Sequence, residues 1–379
     1  MPKDVSSRIR LALLYGGRSG EHDVSIASAA SVMKAIDAGK YEILPVYLTP
    51  QGGWLPGVEP GRLQAGHRPA AGSTALLSSD PQQPGLIPLS ESQVTGRAAL
   101  TVDVVFPLLH GTYGEDGTVQ GLLELANVPY VGSGVLGSAA GMDKDVMKTL
   151  FAAAGLPVVP HLMVRRREWE GQPAVVQDHV LRSLSLPVFV KPANLGSSVG
   201  ISKVKDAGAL AEALNLACQY DRRVLVEQGL ECREFECSVL GNDEPKASVI
   251  GEIVPTREFY DYQAKYGDET SELHIPADID AALAADLRSM AVTAFQAVDA
   301  AGLARVDFFL ETETGRPYVN EINTLPGFTT ISMYPKLWEA DGLSYPRLID
   351  ELVALAMERH RDKQRSVTVY GALPDQEGS

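Results

Sequence analysis

Two strand-like segments separated by a short turn, late in the chain, place the strongest constraint on what this sequence can fold into. The segments LARVDFFLE (303–311) and RPYVNEIN (316–323) are rich in residues with high β-propensity. The four residues between them, TETG (312–315), are typical of a tight turn. Together the segments predict an antiparallel hairpin.

The predicted hairpin gathers polar side chains on one face. Pairing the inner ends of the segments places Asp307 opposite Asn320 or Glu321. Side chains two positions apart share a strand face, so Glu321 and Asn323 point the same way, as do Arg305 and Asp307. Oxygen ligands alone suit Mg²⁺, which usually accompanies substrate phosphates. The alternative is a surface hairpin with solvated charges.

Length, charge and cysteine content limit the class of protein. A chain of 379 residues suggests two or three domains. The net charge of −15, with no basic run longer than residues 165–167, argues against nucleic acid or an anionic membrane as the main partner. Cys232 and Cys237 lack the second pair that a zinc site needs, which favours reduced thiols. No apolar stretch reaches transmembrane length, so we expect a soluble, cytoplasmic protein.

The first part of the chain predicts a parallel α/β domain. A strand, a glycine-rich turn, a helix and a second strand form a βαβ unit at 9–15, 16–20, 23–37 and 43–48. Residues 50–98 are rich in Gly, Pro, Gln and Ser and predict an irregular excursion with few fixed elements. The segment at 132–137 matches G-x-G-x-x-G, but no acidic residue follows about 20 residues later, which argues against a dinucleotide site.

A lysine beside a glycine- and serine-rich loop is the first candidate for phosphate binding. Lys191 ends an apolar strand and precedes the loop at 194–200, whose backbone N–H groups could close over an anion. The alternative is a flexible loop with a solvated lysine head group. Lys144, at the start of a helix, is a second candidate for phosphate, and Glu227 and Glu234 are candidates for adenine and ribose. Each of these three is a weak signal when taken alone.

Five segments carry a resemblance to a known family, in order and in spacing. They are HGTYGEDGTVQG (110–121), YVGSGVLGSAAGMDK (130–144), VKPANLGSSVGISKV (190–204), EFYDYQAKY (258–266) and RVDFF with NEINTLPGFT (305–309 and 320–329). With them the chain resembles the D-alanine–D-alanine ligases of the ATP-grasp superfamily over about residues 9–360, outside the excursion and the tail.

The resemblance implies a fold and a domain division. The fold class is α/β, becoming α+β in the C-terminal parts, with the three domains of an ATP-grasp protein. These are an N-terminal parallel α/β substrate-binding domain (1–132), a central ATP-grasp subdomain (133–227) and a C-terminal domain with the metal and catalytic site (228–379). ATP would lie between the second and third domains.

The resemblance also implies site residues, position by position. Those implied to bind ATP are Lys144, Lys191, Ser197, Ser198, Glu227, Glu234, Phe259, Lys265 and Phe309. Those implied to hold two Mg²⁺ are Asp307, Glu321 and Asn323, with Mn²⁺ as an alternative and activation by K⁺ left open. Those implied to bind D-alanine are Glu21, His110, Arg305, Ser332 and Met333. Those implied to act in catalysis are Glu21, Ser197, Tyr266, Arg305 and Gly327.

The activity that the resemblance implies is ligation of two D-alanine molecules through an acyl phosphate, for peptidoglycan precursors. We expect small-molecule substrates (D-alanine and ATP), no nucleic acid, no membrane and a homodimer. The nearest alternative joins D-alanine to D-lactate, although Lys265 and Tyr266 resemble the dipeptide-forming branch. More distant alternatives are an ATP-grasp ligase for other amino acids and a sensor without catalysis.

Overall fold

A computed structural model describes residues 8–67, 69, 74–82, 85–89, 100–196, 199–254 and 272–367. These residues form three β-sheets, which follow one another along the chain. Helices pack against each sheet.

The first sheet contains six strands in the order β5-β4-β3-β2-β1-β6. Its strands are β1 (Ile9–Gly16), β2 (Tyr41–Leu48), β3 (Trp54–Pro56), β4 (Ala75–Leu77), β5 (Leu86–Pro88) and β6 (Val104–Pro107). Its helices are α1 (His22–Ala35), α2 (Pro60–Gln64) and α3 (Thr118–Leu125). Strand β1 runs parallel to both β2 and β6, which confirms the predicted parallel α/β start.

The prediction of an excursion with few fixed elements is wrong for the described part of residues 50–98. Strands β3, β4 and β5 continue the first sheet in antiparallel fashion. They are three residues long, and each buries one apolar side chain, from Leu55, Ala75 and Leu86. So short a strand has no alternation to recognise in sequence.

Two consecutive helices, α4 (Val135–Met142) and α5 (Lys144–Ala153), connect the first sheet to the second. The break falls at Asp143, whose carboxylate accepts hydrogen bonds from the backbone N–H groups of Asp145 (3.2 Å) and Val146 (3.1 Å). An aspartate in this position caps the start of a helix. Lys144 is therefore the first residue of α5, as predicted.

The second sheet has four antiparallel strands in the order β7-β10-β8-β9. They are β7 (His161–Arg165), β8 (Val188–Pro192), β9 (Ser202–Val204) and β10 (Arg223–Gln228). Its helices are α6 (Arg166–Gly171), α7 (Pro173–Ser183) and α8 (Leu210–Tyr220), and a 3₁₀ turn (Ala207–Ala209) precedes α8. Lys191 lies near the end of β8, as the sequence predicted.

The third sheet has five antiparallel strands in the order β13-β12-β11-β14-β15. They are β11 (Cys232–Gly241), β12 (Lys246–Val254), β13 (Glu272–His274), β14 (Gly302–Glu311) and β15 (Pro317–Asn323). The later helices are α9 (Ala281–Ala297), α10 (Met333–Ala340) and α11 (Tyr345–Lys363). Strands β14 and β15 form the predicted hairpin, and its register pairs Asp307 with Glu321 and Arg305 with Asn323.

Two helices pack against sheets that are distant from them in sequence. Met147 and Phe151 of α5 share a buried cluster with residues of the third sheet such as Phe235 and Ile322. Helix α11 packs instead against the first sheet, where Leu352 shares a cluster with Phe106. Within the described ranges, none of the helices combines the length and the apolar character that crossing a membrane requires.

Candidate active site

A half-buried arginine, Arg305, lies between carboxylates on one face of the β14–β15 hairpin. The Arg305 guanidinium donates two hydrogen bonds of 2.7 Å to Asp307, one to each carboxylate oxygen. Its Nε also lies 3.0 Å from Oε2 of Glu236, which faces Asp307 from the neighbouring strand β11. Burial alone would lower the pKa of Arg305, but the two carboxylates outweigh it and raise that pKa. The arginine is therefore a fixed positive charge.

The hairpin face fits an oxygen-preferring divalent cation. Asp307 and Glu321 are paired across the strands, and Asn323 follows on the same face. Asn323 Oδ1 accepts a hydrogen bond of 3.0 Å from the Leu325 N–H, and a carbonyl oxygen has a second lone pair free for a metal. In the part of the chain that the structure describes, no three His, Cys, Asp or Glu side chains form a ready-made metal cluster. The donor set is instead two carboxylates and an amide, which is the chemistry that Mg²⁺ accepts.

Two predicted phosphate-binding lysines approach this face from the second sheet and from α5. Lys144 Nζ donates to the Leu195 carbonyl at 2.6 Å, at the entrance of the loop at 194–200. Lys191 forms an ion pair with Glu227, and each of the two lysines is only 9% exposed. Lys144, Glu321 and Asn323 line the same small cavity. The structure therefore brings Lys144 to the edge of the carboxylate face, whereas Lys191 is held by Glu227.

Glu227 is buried rather than solvated, and it contacts a lysine that the sequence did not single out. The Lys148 ammonium lies 2.7 Å from Glu227 Oε2, and both side chains are 1% exposed. Burial alone would raise the pKa of Glu227, but Lys148 and Lys191 lower it to about 2. Glu227 is thus ionised at neutral pH, deep between two cations.

Glu21 lies beside the glycine that follows His110, at the N-terminal end of α1. A Cβ atom on Gly111 would approach Glu21 Oε2 to 2.7 Å, and Gly111 has a positive φ of 75°, so this position favours glycine on two counts. The Glu21 N–H donates to Ser19 Oγ at 3.1 Å, and Ser19 Oγ donates to the His110 carbonyl at 2.7 Å. These contacts fix the Glu21 backbone against the loop after β6.

Glu115 is a further buried carboxylate that sequence reasoning missed. Its Oε1 accepts a hydrogen bond of 2.8 Å from the Gly111 N–H, and it lines the cavity that contains Lys144 and Glu321. Burial, with a contribution from Glu21, raises the pKa of Glu115 to about 8. Its place in the HGTYGEDG segment was the available signal.

His110 uses both ring nitrogens inside the protein. Nδ1 lies 2.9 Å from the Leu325 carbonyl, which can only accept, so Nδ1 carries the proton. Nε2 lies 3.0 Å from Ser28 Oγ and accepts its hydroxyl hydrogen. Burial lowers the pKa of His110, so the ring is neutral. A direct contact between a ring nitrogen and a substrate therefore requires one of these hydrogen bonds to break.

The loop before α10 brings together three of the predicted residues. A Cβ atom on Gly327 would lie 3.1 Å from Ser332 Oγ. The Ser332 Oγ atom accepts a hydrogen bond of 3.1 Å from the Thr329 N–H. Ser332 immediately precedes Met333, the first residue of α10. Met333 packs its side chain among Ile253 and Leu337. A side chain at position 327 would therefore require the Ser332 hydroxyl to shift by a few tenths of an ångström.

Two further predicted residues face each other on the third sheet. Glu234 on β11 is paired with Phe309 on β14, both partly exposed, on the strand pair that carries Glu236 and Asp307. The remaining predicted site residues lie outside the described residues: Ser197, Ser198, Phe259, Lys265 and Tyr266.

The sheets and the arrangement of this site define an ATP-grasp fold, which the comparisons with known proteins support. A solved structure of the D-alanine–D-alanine ligase from Coxiella burnetii superposes with a TM-score of 0.81 at 38% identity, covering 94% of this chain and 96% of that one. A solved D-Ala:D-Ser ligase, VanG from Enterococcus faecalis, superposes with a TM-score of 0.82 at 34% identity, covering 92% of this chain and 100% of that one.

Sequence comparisons are more specific. Family models described as D-ala D-ala ligase N-terminus and C-terminus match residues 10–133 and 150–354. D-alanine–D-alanine ligases of Heliobacterium modesticaldum and Geobacillus kaustophilus are 53% and 50% identical, each over 94% of this chain and 97% of the relative. The chain belongs to the D-alanine–D-alanine ligase family.

Proposed function

We propose that this chain joins two molecules of D-alanine into D-alanyl-D-alanine, with ATP as the energy source, for peptidoglycan precursor synthesis. The observation that carries the proposal is the hairpin face, where Arg305 and Asp307 lie opposite Asn323 and Glu321. This face combines a fixed cation with oxygen donors for a metal. Activation of a carboxylate by phosphoryl transfer needs both, because it depends on positioning and charge neutralisation.

The reaction has two steps. A carboxylate oxygen of the first D-alanine attacks the γ-phosphorus of ATP, ADP leaves, and an acyl phosphate forms. The amine of the second D-alanine then attacks the acyl carbon and loses a proton, and phosphate leaves with the oxygen that made the first attack. Glu21 would bind the ammonium group of the first D-alanine, because it is a largely buried carboxylate beside the loop of His110.

The nucleotide would lie between the second and third sheets. Lys144 and Lys191 supply positive charge for its phosphates, Glu227 accepts from the adenine amino group, and Glu234 lies on β11 where ribose would lie. A divalent cation held by Asp307, Glu321 and Asn323 would neutralise charge on the transferring phosphoryl group. Mg²⁺ fits these oxygen ligands, and Mn²⁺ is the alternative. Activation by K⁺ is tested by measuring turnover with and without KCl.

The second step develops negative charge on the carbonyl oxygen of the first D-alanine. Arg305 and the backbone N–H of Gly327 would donate to this oxyanion, and loss of one such donor costs roughly 3 kcal/mol, or about 10²-fold in rate. Ser332 and the Met333 backbone, at the start of α10, would bind the carboxylate of the second D-alanine. Tyr266 and Ser197 would complete the site by closing over it, since an acyl phosphate hydrolyses in water.

Several broader features belong to the same proposal. We place the protein in the cytoplasm, where ATP is available and the three free cysteines remain reduced. The expected homodimer and the domain division at residues 132/133 and 227/228 stay predictions.

A competition assay tests the proposal. Purified protein with ATP and MgCl₂ is given D-alanine alone, L-alanine alone, or D-alanine mixed with D-lactate or D-serine, and all products are quantified. D-Alanyl-D-alanine should dominate every mixture that contains D-alanine, with one ADP per peptide bond. Preferential capture of D-serine or D-lactate would reassign the second substrate. ATP binding without product in any mixture would favour a sensor.

A further inference from the structure

Lys148 is a buried lysine that connects three separate elements of the fold. It lies on α5 with a side chain 1% exposed. Its ammonium is 2.7 Å from Glu227 Oε2 on β10 and donates a 3.0 Å hydrogen bond to the Asn320 carbonyl on β15. Removing a lysine this completely from water is unfavourable unless its charge is compensated. A lysine on the surface helps to keep a protein soluble, and a lysine buried as deeply as Lys148 cannot serve that purpose.

The two oxygens of Glu227 have different cationic partners. Oε1 contacts Lys191, and Oε2 contacts Lys148. The functional site proposed above requires Lys191 to turn towards the ATP phosphates and Glu227 to accept from adenine. That turn would free Oε1 as an acceptor, while Lys148 would stay on Oε2, because its ammonium is also held by the Asn320 carbonyl.

We propose that Lys148 is a positioning residue for nucleobase selection, which holds Glu227 so that one carboxylate oxygen faces the 6-amino group of the purine. This inference rests on the proposed placement of adenine at Glu227. A carboxylate oxygen accepts hydrogen bonds only, so it favours a 6-amino purine and opposes a 6-oxo purine. Without Lys148 the Glu227 side chain would lose its fixed partner and its selectivity.

The geometry also links the base to the metal-binding strand. Asn320, whose carbonyl Lys148 contacts, immediately precedes Glu321. A single ammonium therefore contacts both the carboxylate proposed to select the base and the strand proposed to hold the metal. A lysine that served only to fill space would have no such pair of partners.

The test compares ATP with ITP, whose base carries a 6-oxo group, in four proteins: wild type, Lys148→Met, Glu227→Gln and the double variant Lys148→Met/Glu227→Gln. The ratio of kcat/KM for ATP to kcat/KM for ITP should fall about tenfold or more in Lys148→Met, mainly through KM, which is the factor expected for a charged hydrogen bond. Calorimetric titration with ADP and IDP should show the same change without turnover. Lys40→Met, which removes a surface ion pair with Asp350, is the matched control and should leave the ratio unchanged.

Glu227→Gln separates this inference from the placement on which it rests. If Glu227→Gln leaves the ATP/ITP ratio at the wild-type value, adenine does not lie at Glu227 and the placement fails. If Glu227→Gln reduces the ratio while a folded Lys148→Met retains it, the placement stands and Lys148 is only structural.

Lys148→Met removes one of the two cations that compensate the buried Glu227 carboxylate, which could prevent folding. The double variant also removes the negative charge of Glu227. Since Lys148 is proposed to select the base only through Glu227, the double variant should match Glu227→Gln in the ATP/ITP ratio. A further change of more than about tenfold in that ratio would overturn the inference.

Discussion

Replacement of Ser28 by alanine should loosen the loop before α10, which contains Gly327. Ser28 lies on α1, has no exposed surface, and contacts two segments that are distant in sequence. Its hydroxyl donates to His110 Nε2 at 3.0 Å and accepts from the Phe328 N–H at 3.2 Å. Phe328 follows Gly327, whose N–H is proposed to stabilise the oxyanion.

The magnitude follows from the groups left without partners. Ser28→Ala leaves the Phe328 N–H and His110 Nε2 buried, and each unsatisfied group costs about 1–3 kcal/mol. Allowing for partial relaxation, we expect the local opening free energy around Phe328 to fall by about 2–4 kcal/mol. Displacement of the Gly327 N–H by a fraction of an ångström should lower kcat about tenfold.

Hydrogen exchange of a peptide that covers 325–332, followed by mass spectrometry, measures the opening directly, and initial rates of peptide formation measure kcat. Exchange at Phe328 should accelerate about 30-fold or more, which corresponds to about 2 kcal/mol. The control is Ser31→Ala, on the same helix, where the half-buried hydroxyl makes no hydrogen bond to another described residue. If the exchange rate and kcat of Ser28→Ala equalled those of the wild-type protein, the proposed role of Ser28 in holding the loop would be refuted.

Three further outcomes are expected. Glu321→Gln should reduce turnover at saturating Mg²⁺ by about 10²-fold or more with the fold intact. The control Glu313→Gln, in the exposed turn of the same hairpin, should keep wild-type turnover. Equal turnover in the two variants would contradict the metal assignment. Lys191→Ala should weaken ATP and ADP alike by about tenfold or more, and wild-type affinities by calorimetry would contradict its phosphate role. Because burial lowers the pKa of His110, the unfolded chain binds a proton that the folded protein excludes. The melting temperature should therefore fall as the pH drops below about 6.5, and it should fall less steeply in His110→Gln. Identical slopes of melting temperature against pH in the two proteins, from pH 7.5 to 5.5, would disprove this.

The hairpin could be predicted from sequence because its two halves are local and alternate clearly. Strand periodicity and one turn predict Asn320 or Glu321 opposite Asp307, and the structure pairs Asp307 with Glu321. The register shift between Asp307 and Phe308, which decides between these two residues, leaves no signal in the sequence. The parallel start of the first sheet was predictable for the same reason, since its strands and helix follow one another directly.

The residues that sequence reasoning missed are buried by partners far away in the chain. Lys148 follows Lys144 by one helical turn, a spacing that is typical of a solvated helix face. Its partners, Glu227 on β10 and the Asn320 carbonyl on β15, are distant in sequence. In the sequence, Glu236 is one charged residue among others on a predicted strand. Only the pairing with β14 brings Arg305 to within 3.0 Å of it. Such charges become recognisable only when the tertiary contacts that compensate them are known.

The route of one oxygen atom tests the central claim most directly. D-Alanine labelled with ¹⁸O in both carboxylate oxygens is incubated with the protein, unlabelled ATP and MgCl₂, and the released phosphate is examined by mass spectrometry. Attack of the carboxylate on the γ-phosphorus predicts one ¹⁸O in each phosphate released and one retained in the peptide carbonyl. Phosphate without ¹⁸O, or ¹⁸O appearing in AMP, would contradict an acyl phosphate at this site.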